Sequence, residues 1–271
     1  GIDLRGGLIV HVGCDGGKLT AALGADDAHL VQGLDTNAER IVAARQYLIS
    51  KGHYGRVSAE TFDGEHLPYV DNLVNLIVVE SESRVSPAEI VRVLAPRGVA
   101  LIRKETDGRL LSGFTDAVSR TGSDFAMFEK PVPLGMDDWT HYLYDASNNA
   151  VSSDDLVGPP RRIQWVGGPR RTRHHDHVAS VSALACAAGR VFFVNDAGSS
   201  RSIHLPPKWS LIGRDAFNGS VLWTKSIPRW VNPLWPLKSG PAATPRRLVA
   251  SGDDLFVTLG IDAPVSLLDA E

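Results

Sequence analysis

The chain is short of cysteine, of methionine, of net charge and of long apolar runs. Its two cysteines, Cys14 and Cys186, fall one in each half of 271 residues. That excludes a disulfide framework and leaves the redox compartment open. A net charge of −3, from 28 Lys and Arg against 31 Asp and Glu, excludes bulk attraction to nucleic acid or to a membrane surface. No apolar run approaches the ~20 residues of a membrane helix, so no membrane span is expected. The sequence opens on Gly1 and not on Met, which fits a removed or omitted leader.

What remains is the composition of a globular, soluble protein: 43% hydrophobic and 22% charged residues, at a length that suits one large domain or two ordinary ones. In the first half, short apolar runs alternate with helical patterns. Residues 8–12, 29–34, 57–61, 73–79 and 99–103 read as strands. Residues 18–24, 37–51 and 87–94 read as helices, the second closed by Gly52. Strands alternating with helices predict a doubly wound, mostly parallel α/β sheet. Gly113-Phe114 and residues 125–130 then read as a closing antiparallel pair, and Pro131-Val132-Pro133 as a linker.

From Asp137 onward the helical period is lost. Short β-type runs, Trp residues and Gly, Pro, Asn and Asp turns predict an all-β half. It contains a repeat. Residues 190–194 and 211–216 correspond to residues 254–258 and 266–270, with Asp215-Ala216 and Asp269-Ala270 lying 54 residues apart. That is somewhat longer than the ~40–50 residues of a propeller blade. The excess falls in a Ser- and Pro-rich loop at residues 199–210.

The segment between strand one and helix one reads Val10-His11-Val12-Gly13-Cys14-Asp15-Gly16-Gly17-Lys18. Glycines there let a ligand approach the backbone. Asp35 ends strand two, 22 residues after Gly13, where a carboxylate can accept both ribose hydroxyls. Asp63, followed by Gly64, sits where an adenine amino group can be met. A small nucleotide-type ligand is therefore expected, held by Gly13, Cys14, Asp15, Gly17, Asp35, Asp63 and Gly64. An NAD-type loop would want glycine at the third position from Gly13, where Asp15 stands. His66 is the one candidate catalytic base, and Cys14 reads as a small packing residue.

These features resemble the class I S-adenosylmethionine-dependent methyltransferases over roughly residues 6–130. They are the glycine loop, Asp35, the stretch Asp63-Gly64-Glu65-His66-Leu67-Pro68, and Arg92-Val93-Leu94-Ala95-Pro96-Arg97-Gly98. The resemblance implies a methyltransferase-like Rossmann fold with S-adenosylmethionine as cofactor. The sequence departs from the family in four places. His11 takes the acidic position before the loop, Asp15 takes the middle glycine, Asn75 opens strand four where Asp is common, and Glu80 closes it. No Asn-Pro-Pro-Tyr segment of the amino-directed enzymes is present.

In the all-β half, Asp215-Ala216-Phe217-Asn218-Gly219-Ser220-Val221-Leu222-Trp223 resembles the repeat of quinoprotein-like (PQQ-type) propellers, with Trp223 packing between blades. The expected organisation is a methyltransferase-like domain over 1–130, a linker over 131–139, and about two blades of a partial propeller over 140–271. The C-terminus is expected to fall in mid-propeller, with an apolar edge there. The whole resembles large bacterial proteins that join these two parts, on residues 138–142, 158–161, 174–177 and 236–241. That resemblance implies export, whereas an active methyltransferase implies the cytoplasm.

His174-His175-Asp176-His177 is a further candidate site. Alternate imidazoles on a strand share a face, so His175 and His177 could hold Zn or Cu with a third ligand from His141 or His204, while His174, also a candidate, shares the other face with Asp176. The bland alternative is a polar loop edging the propeller funnel. Arg161, Arg162, Arg170, Arg171 and Arg173 form a basic stretch that suits an anion or the carboxylates of the first domain. Three functions compete: a methyltransferase using the propeller to recognise a ligand or protein, a non-catalytic scaffold with a degenerate site, and an exported quinoprotein or metal-dependent oxidoreductase.

Overall fold

The computed structural model describes residues 4–80, 84–104, 110, 112–114, 124–159, 163–168, 181–202, 205–231 and 243–270. The chain divides into two compact units, Gly1–Pro133 and Leu134–Glu271.

Among the described residues the first unit holds six strands: β1 (Gly7–Val12), β2 (His29–Asp35), β3 (Val57–Thr61), β4 (Val74–Val79), β5 (Leu94–Arg103) and β6 (Phe125–Glu129). Their order is β3-β2-β1-β4-β5-β6. The first five pair in parallel and β6 closes the edge antiparallel to β5. Strand order reverses at β1, which pairs with β2 on one side and β4 on the other. That is the topological switch point of an open α/β sheet, outside whose strand carboxyl ends ligands bind.

Parallel strands covered on both faces read as near-continuous apolar runs. β1 shows how both faces are filled. Val10 and Val12 enter a core with Ile77, Val79, Ile90 and Val93, the last two from helix α3 (Pro87–Val93). Ile9 faces the other way, into a core with Val31, Leu76, Val78 and the apolar stripe Ile41, Ala44 and Leu48 of helix α2 (Ala38–Ser50). Helix α1 (Lys18–Leu23) joins this second face through Ala21. Asn37 starts α2 two residues after β2 ends, its Oδ1 accepting from Glu39 N at 2.8 Å and Arg40 N at 3.2 Å. This short connection fixes where the first turn of α2 stands relative to Asp35.

Two expectations change. Gly113 and Phe114 form no strand; Gly113 N bonds back to Leu110 O, and Phe114 packs its ring on Phe128 of β6 at 4.6 Å. Among the described residues only β6 closes the sheet. β5 is longer than expected because Leu94 already pairs with Val74. The pairing then slips past Ala95-Pro96-Arg97-Gly98, where Arg97 takes φ 65°.

The described residues of the second unit form two antiparallel sheets. One is the meander β7 (Val181–Ala187), β8 (Arg190–Asp196), β9 (Trp209–Asp215) and β10 (Val221–Ile227); the other is β11 (Leu248–Ser251), β12 (Asp254–Thr258) and β13 (Val265–Asp269). Both sheets feed one core, including Ala185, Phe192, Leu211, Trp230, Leu248 and Leu255. Residues 138–140, expected to span the end of a linker, belong to this unit. Asp138 accepts from Ala188 N, Trp139 O from Cys186 N at 2.7 Å, and Thr140 O from Ala250 N at 3.0 Å, so the segment ties the first sheet to the second.

The repeated element has a repeated lock. Trp165 Nε1 donates to Ala216 O at 2.8 Å, and Trp223 Nε1 donates to Ala270 O at 3.1 Å. Each indole thus seats on the Asp-Ala pair of the following copy. Asp215 shapes its turn by accepting from Phe217 N and Asn218 N at 2.8 and 2.9 Å. Gly219 closes the turn at φ 73°, where a Cβ would lie 2.3 Å from the Trp165 ring. On the outer side of the second sheet, Phe256 and Leu267 are directly paired across β12 and β13, and both are exposed together with Val265. Among the described residues no strand pairs with the outer edge of β13.

Gly219 and Gly252 separate backbone strain from packing. Both have positive φ, but a Cβ at Gly252 meets nothing within 4 Å. Gly252→Ala should cost about 1 kcal/mol of left-handed strain. Gly219→Ala should cost about 3 kcal/mol, because it adds a steric clash to the same strain. Equal losses in denaturant unfolding would show that Trp165 does not constrain this turn.

Candidate nucleotide-binding site

The loop after β1 turns tightly. Gly13 N and Cys14 N both donate to Leu34 O, at 2.8 and 3.2 Å, and Gly17 N to Cys14 O at 2.8 Å. Gly13 and Gly17 have φ of 80° and 78°, and Gly17 lets α1 start against Ala44 of α2, where a Cβ would lie 3.1 Å from the Ala44 Cα. Cys14 points into the core beneath Gly33. Burial, reinforced by the Asp35 carboxylate, pushes its thiol up to about 12, so it packs and is no nucleophile. Asp15 also takes a left-handed conformation, φ 41°, at the place of a glycine, and its carboxylate stands in solvent.

Asp35 is buried at the end of β2. Its Oδ1 accepts from Asn37 N at 2.9 Å, while Oδ2 faces Arg40 NH1 at 3.8 Å. Arg40 also reaches Asp15, Nε to Oδ1, at 3.6 Å. One guanidinium from the first turn of α2 therefore stands between Asp15 and Asp35, two of the three carboxylates that the sequence assigned to the ligand. Arg40 was missed in the sequence. Its only signal there is a position five residues after Asp35.

Asp63 and His66 form a separate arrangement on the loop after β3. Asp63 Oδ1 accepts from His66 N at 2.7 Å and Glu65 N at 2.8 Å, and Oδ2 meets His66 Nδ1 at 2.9 Å. These bonds, the His66 and Glu65 amides first, hold the Asp63 carboxyl down to about 2. The same carboxylate raises the His66 imidazole. Both side chains are exposed, so this is a self-capped turn in water. Gly64, at φ 87°, lies against Thr36, whose Cγ2 would be 2.9 Å from a Cβ there. The loops after β2 and β3 are therefore neighbours.

In a further group, His11 and Glu80 were seen in the sequence only as separate departures, and Arg103 was not singled out. His11, Asp35, Glu80 and Arg103 all lie on the α1/α2 face at the strand carboxyl ends, as the alternation of β1, β2, β4 and β5 dictates. His11 is 1% exposed. Its Nδ1 lies 2.9 Å from Thr20 Oγ1, and its Nε2 lies 3.2 Å from Glu80 Oε2 without hydrogen-bond alignment. The other Glu80 oxygen is 3.8 Å from Arg103. Burial holds the His11 imidazole below its ordinary value, against the opposing pull of Glu80 and Asp35.

His174, His175 and His177, with Asp176, His204 and the five arginines of the basic stretch, lie outside the described residues. His141 lies within them, Nδ1 2.8 Å from Thr140 Oγ1. Among the described residues no group of three His, Cys, Asp or Glu side chains could hold a metal ion, and no helix is long and apolar enough to cross a membrane.

No family model matches the chain, and no curated protein matches it. Solved structures do. A candidate S-adenosyl-L-methionine-dependent methyltransferase of Methanococcus maripaludis is 16% identical, with 49% of this chain and 81% of that one covered at a TM-score of 0.43. The [4+2]-cyclase SpnF is 26% identical, with 36% and 38% covered at 0.33. Geranyl diphosphate C-methyltransferase of Streptomyces coelicolor A3(2), solved with S-adenosyl-L-homocysteine, is 16% identical, with 36% and 39% covered at 0.33. The chain thus spans well under half the length of the last two. By its own strand order, the first unit is a Rossmann-like α/β domain.

The buried imidazole makes stability depend on pH. The native pKa of His11 lies below its unfolded value near 6.5, so the unfolded chain binds more protons between the two. The associated stability is present above the unfolded value and is lost as pH falls through that window. Thermal melts of the wild type between pH 7 and pH 5 should fall more steeply than those of His11→Gln. Parallel slopes would mean that His11 is not held neutral.

Proposed function

We propose that the first unit binds S-adenosylmethionine and that the chain is a methyltransferase-like protein whose second unit, part of a PQQ-type propeller, serves as a recognition platform. The observation that carries the first half is Asp35. It is a buried carboxylate at the end of β2, oriented by Asn37 N through one oxygen, with the other facing the Arg40 guanidinium at 3.8 Å. Two hydroxyls of a ribose suit such a group. The positive-φ glycines Gly13 and Gly17 leave the loop after β1 without side chains at those points. These residues fit the nucleoside half of the ligand once Arg40 moves off Asp35. When bound, S-adenosylmethionine supplies a methyl group activated by its sulfonium. The chain's own residues bind and orient, and His66, paired with Asp63 in solvent, has nothing but position to commend it as a base. The repeated Trp-to-Ala lock and the repeated antiparallel meander support the propeller half.

A second reading is a scaffold with a degenerate site. Arg40 between Asp15 and Asp35 favours it, because a ligand must compete with an existing ion pair. Export, implied by resemblance, favours it too, and activity would place the protein in the cytoplasm. Bound PQQ or a metal belongs to the oxidoreductase reading; among the described residues no group of three His, Cys, Asp or Glu side chains could hold a metal ion.

Calorimetric titration of the whole chain with S-adenosylhomocysteine separates the readings. Binding in the micromolar range is the expected result. Arg40→Ala should tighten it by about two- to fivefold, the scale of one exposed ion pair. No heat with either protein would leave the scaffold reading, and weaker binding by Arg40→Ala would make the arginine part of the site and no obstacle to it.

A further inference from the structure

We infer that the second unit joins a second copy of this chain head to tail. The exposed face and outer edge of β12 and β13 in one copy receive residues 163–168 and the open face of the first sheet from the next. The inference rests on the repeat within the second unit and on neither reading of the first.

The repeat supplies the geometry. Arg190 pairs with Asp215 across β8 and β9 as Asp254 pairs with Asp269 across β12 and β13, so the two sheets correspond pair for pair. Phe192, Leu211 and Gly213 of the first sheet thereby match Phe256, Val265 and Leu267 of the second. Phe192 and Leu211 are fully buried in the core that the two sheets share. Phe256, Val265 and Leu267 are exposed. The second sheet thus turns to solvent the face that the first sheet buries against its neighbour. The opposite mating face is open as well. Leu248 of β11, paired with Val257, is buried in the shared core; Leu184 of β7, in the same place beside Phe193, is 44% exposed. Each copy therefore carries both halves of a contact whose fit its own two sheets already display.

The fourth strand points the same way. β10 runs beside β9, and its Trp223 reaches Ala270, just past β13. Ile163-Gln164-Trp165-Val166 matches Val221-Leu222-Trp223-Thr224 about the indole, and Trp165 makes the equivalent bond to Ala216, just past β9. Gln164 Nε2 donates to Phe217 O at 2.9 Å and Arg214 Nη2 to Gly168 O at 3.2 Å, which fixes the segment in place. It holds against the first sheet the position that β10 holds against the second. Among the described residues, however, it belongs to no sheet, and Ile163 and Val166 are 78% and 79% exposed. The second sheet has the complementary shortage: three strands, with no fourth along β13. An open strand edge is a template for another chain, and a contact that repeats one operator from copy to copy is heterologous. One detail must differ. Gly213 makes room for Trp223, whose ring would lie 2.6 Å from a Cβ there, so the incoming indole has to lie beside the Leu267 side chain and not over bare backbone.

The test is the mass of the full chain by light scattering over a range of concentrations, for the wild type and two variants. The wild type should exceed the monomer mass increasingly as concentration rises. Leu267→Lys breaks the receiving face, and Ile163→Asp breaks the inserted segment. Each should weaken self-association at least about tenfold, because each carries a charge into an apolar contact. Mixing the two variants should restore one contact, between the intact face of one and the intact segment of the other, and give a dimer and nothing larger. Recovery on mixing also shows that both variants are folded. A wild type that stays monomeric throughout would overturn the inference. Association undiminished in both variants would overturn it by placing the contact elsewhere. Two weakened variants that stay monomeric when mixed would overturn the head-to-tail arrangement, since a face that pairs with itself gives that result.

Discussion

The first unit depends on burying β1 on both faces between two parallel neighbours. Val10 and Val12 fill one core and Ile9 the other, and the strand's hydrogen bonds run to β2 and β4. A strand so enclosed cannot slip by one residue without turning both cores out. Its register therefore fixes everything at its carboxyl end: the turn closed by Gly13 and Gly17, the imidazole of His11 beside Glu80, and the approach of α1. β2 and α2 follow from it, and the two-residue step from Asp35 to α2 delivers Arg40 to the same place. The candidate site is the set of groups that this one register brings to one edge of the sheet.

Electrostatics at that edge differ from what a glycine loop alone suggests. Asp15, Asp35 and Glu80 face Arg40, Arg103 and His11. The carboxylates are already in partial pairs, so a cationic or hydroxylated ligand must exchange partners on entry. Asp63 lies apart from this exchange, because its oxygens are taken up by its own turn.

Much of the α/β unit was legible because parallel strands advertise themselves as apolar runs and the helices carried helical spacing, the second with Gly52 as its stop. Side-chain pairs across strands were not legible. His11 and Glu80 are far apart in sequence and meet only through the β1–β4 register. In the second unit, β8, β9, β10, β12 and β13 stood out through Val, Leu, Ile and Phe. β7 did not, because it turns small residues inward, Ala183, Ala185 and Ala187, and leaves Leu184 exposed. That inverts the pattern by which a half-buried strand is recognised. Trp165 was overlooked for a similar reason: its partner is a backbone carbonyl 51 residues away, which has no sequence signature.

The central claim is that the carboxyl ends of β1, β2 and β4 form one nucleotide-binding crevice. Amide chemical shifts of the whole chain, recorded by NMR with and without S-adenosylhomocysteine, test it most directly. The account predicts shifts at residues 13–17, 35–40 and 80, with the strands of the second unit unmoved. Shifts confined to the second unit, or none at saturating ligand, would contradict it.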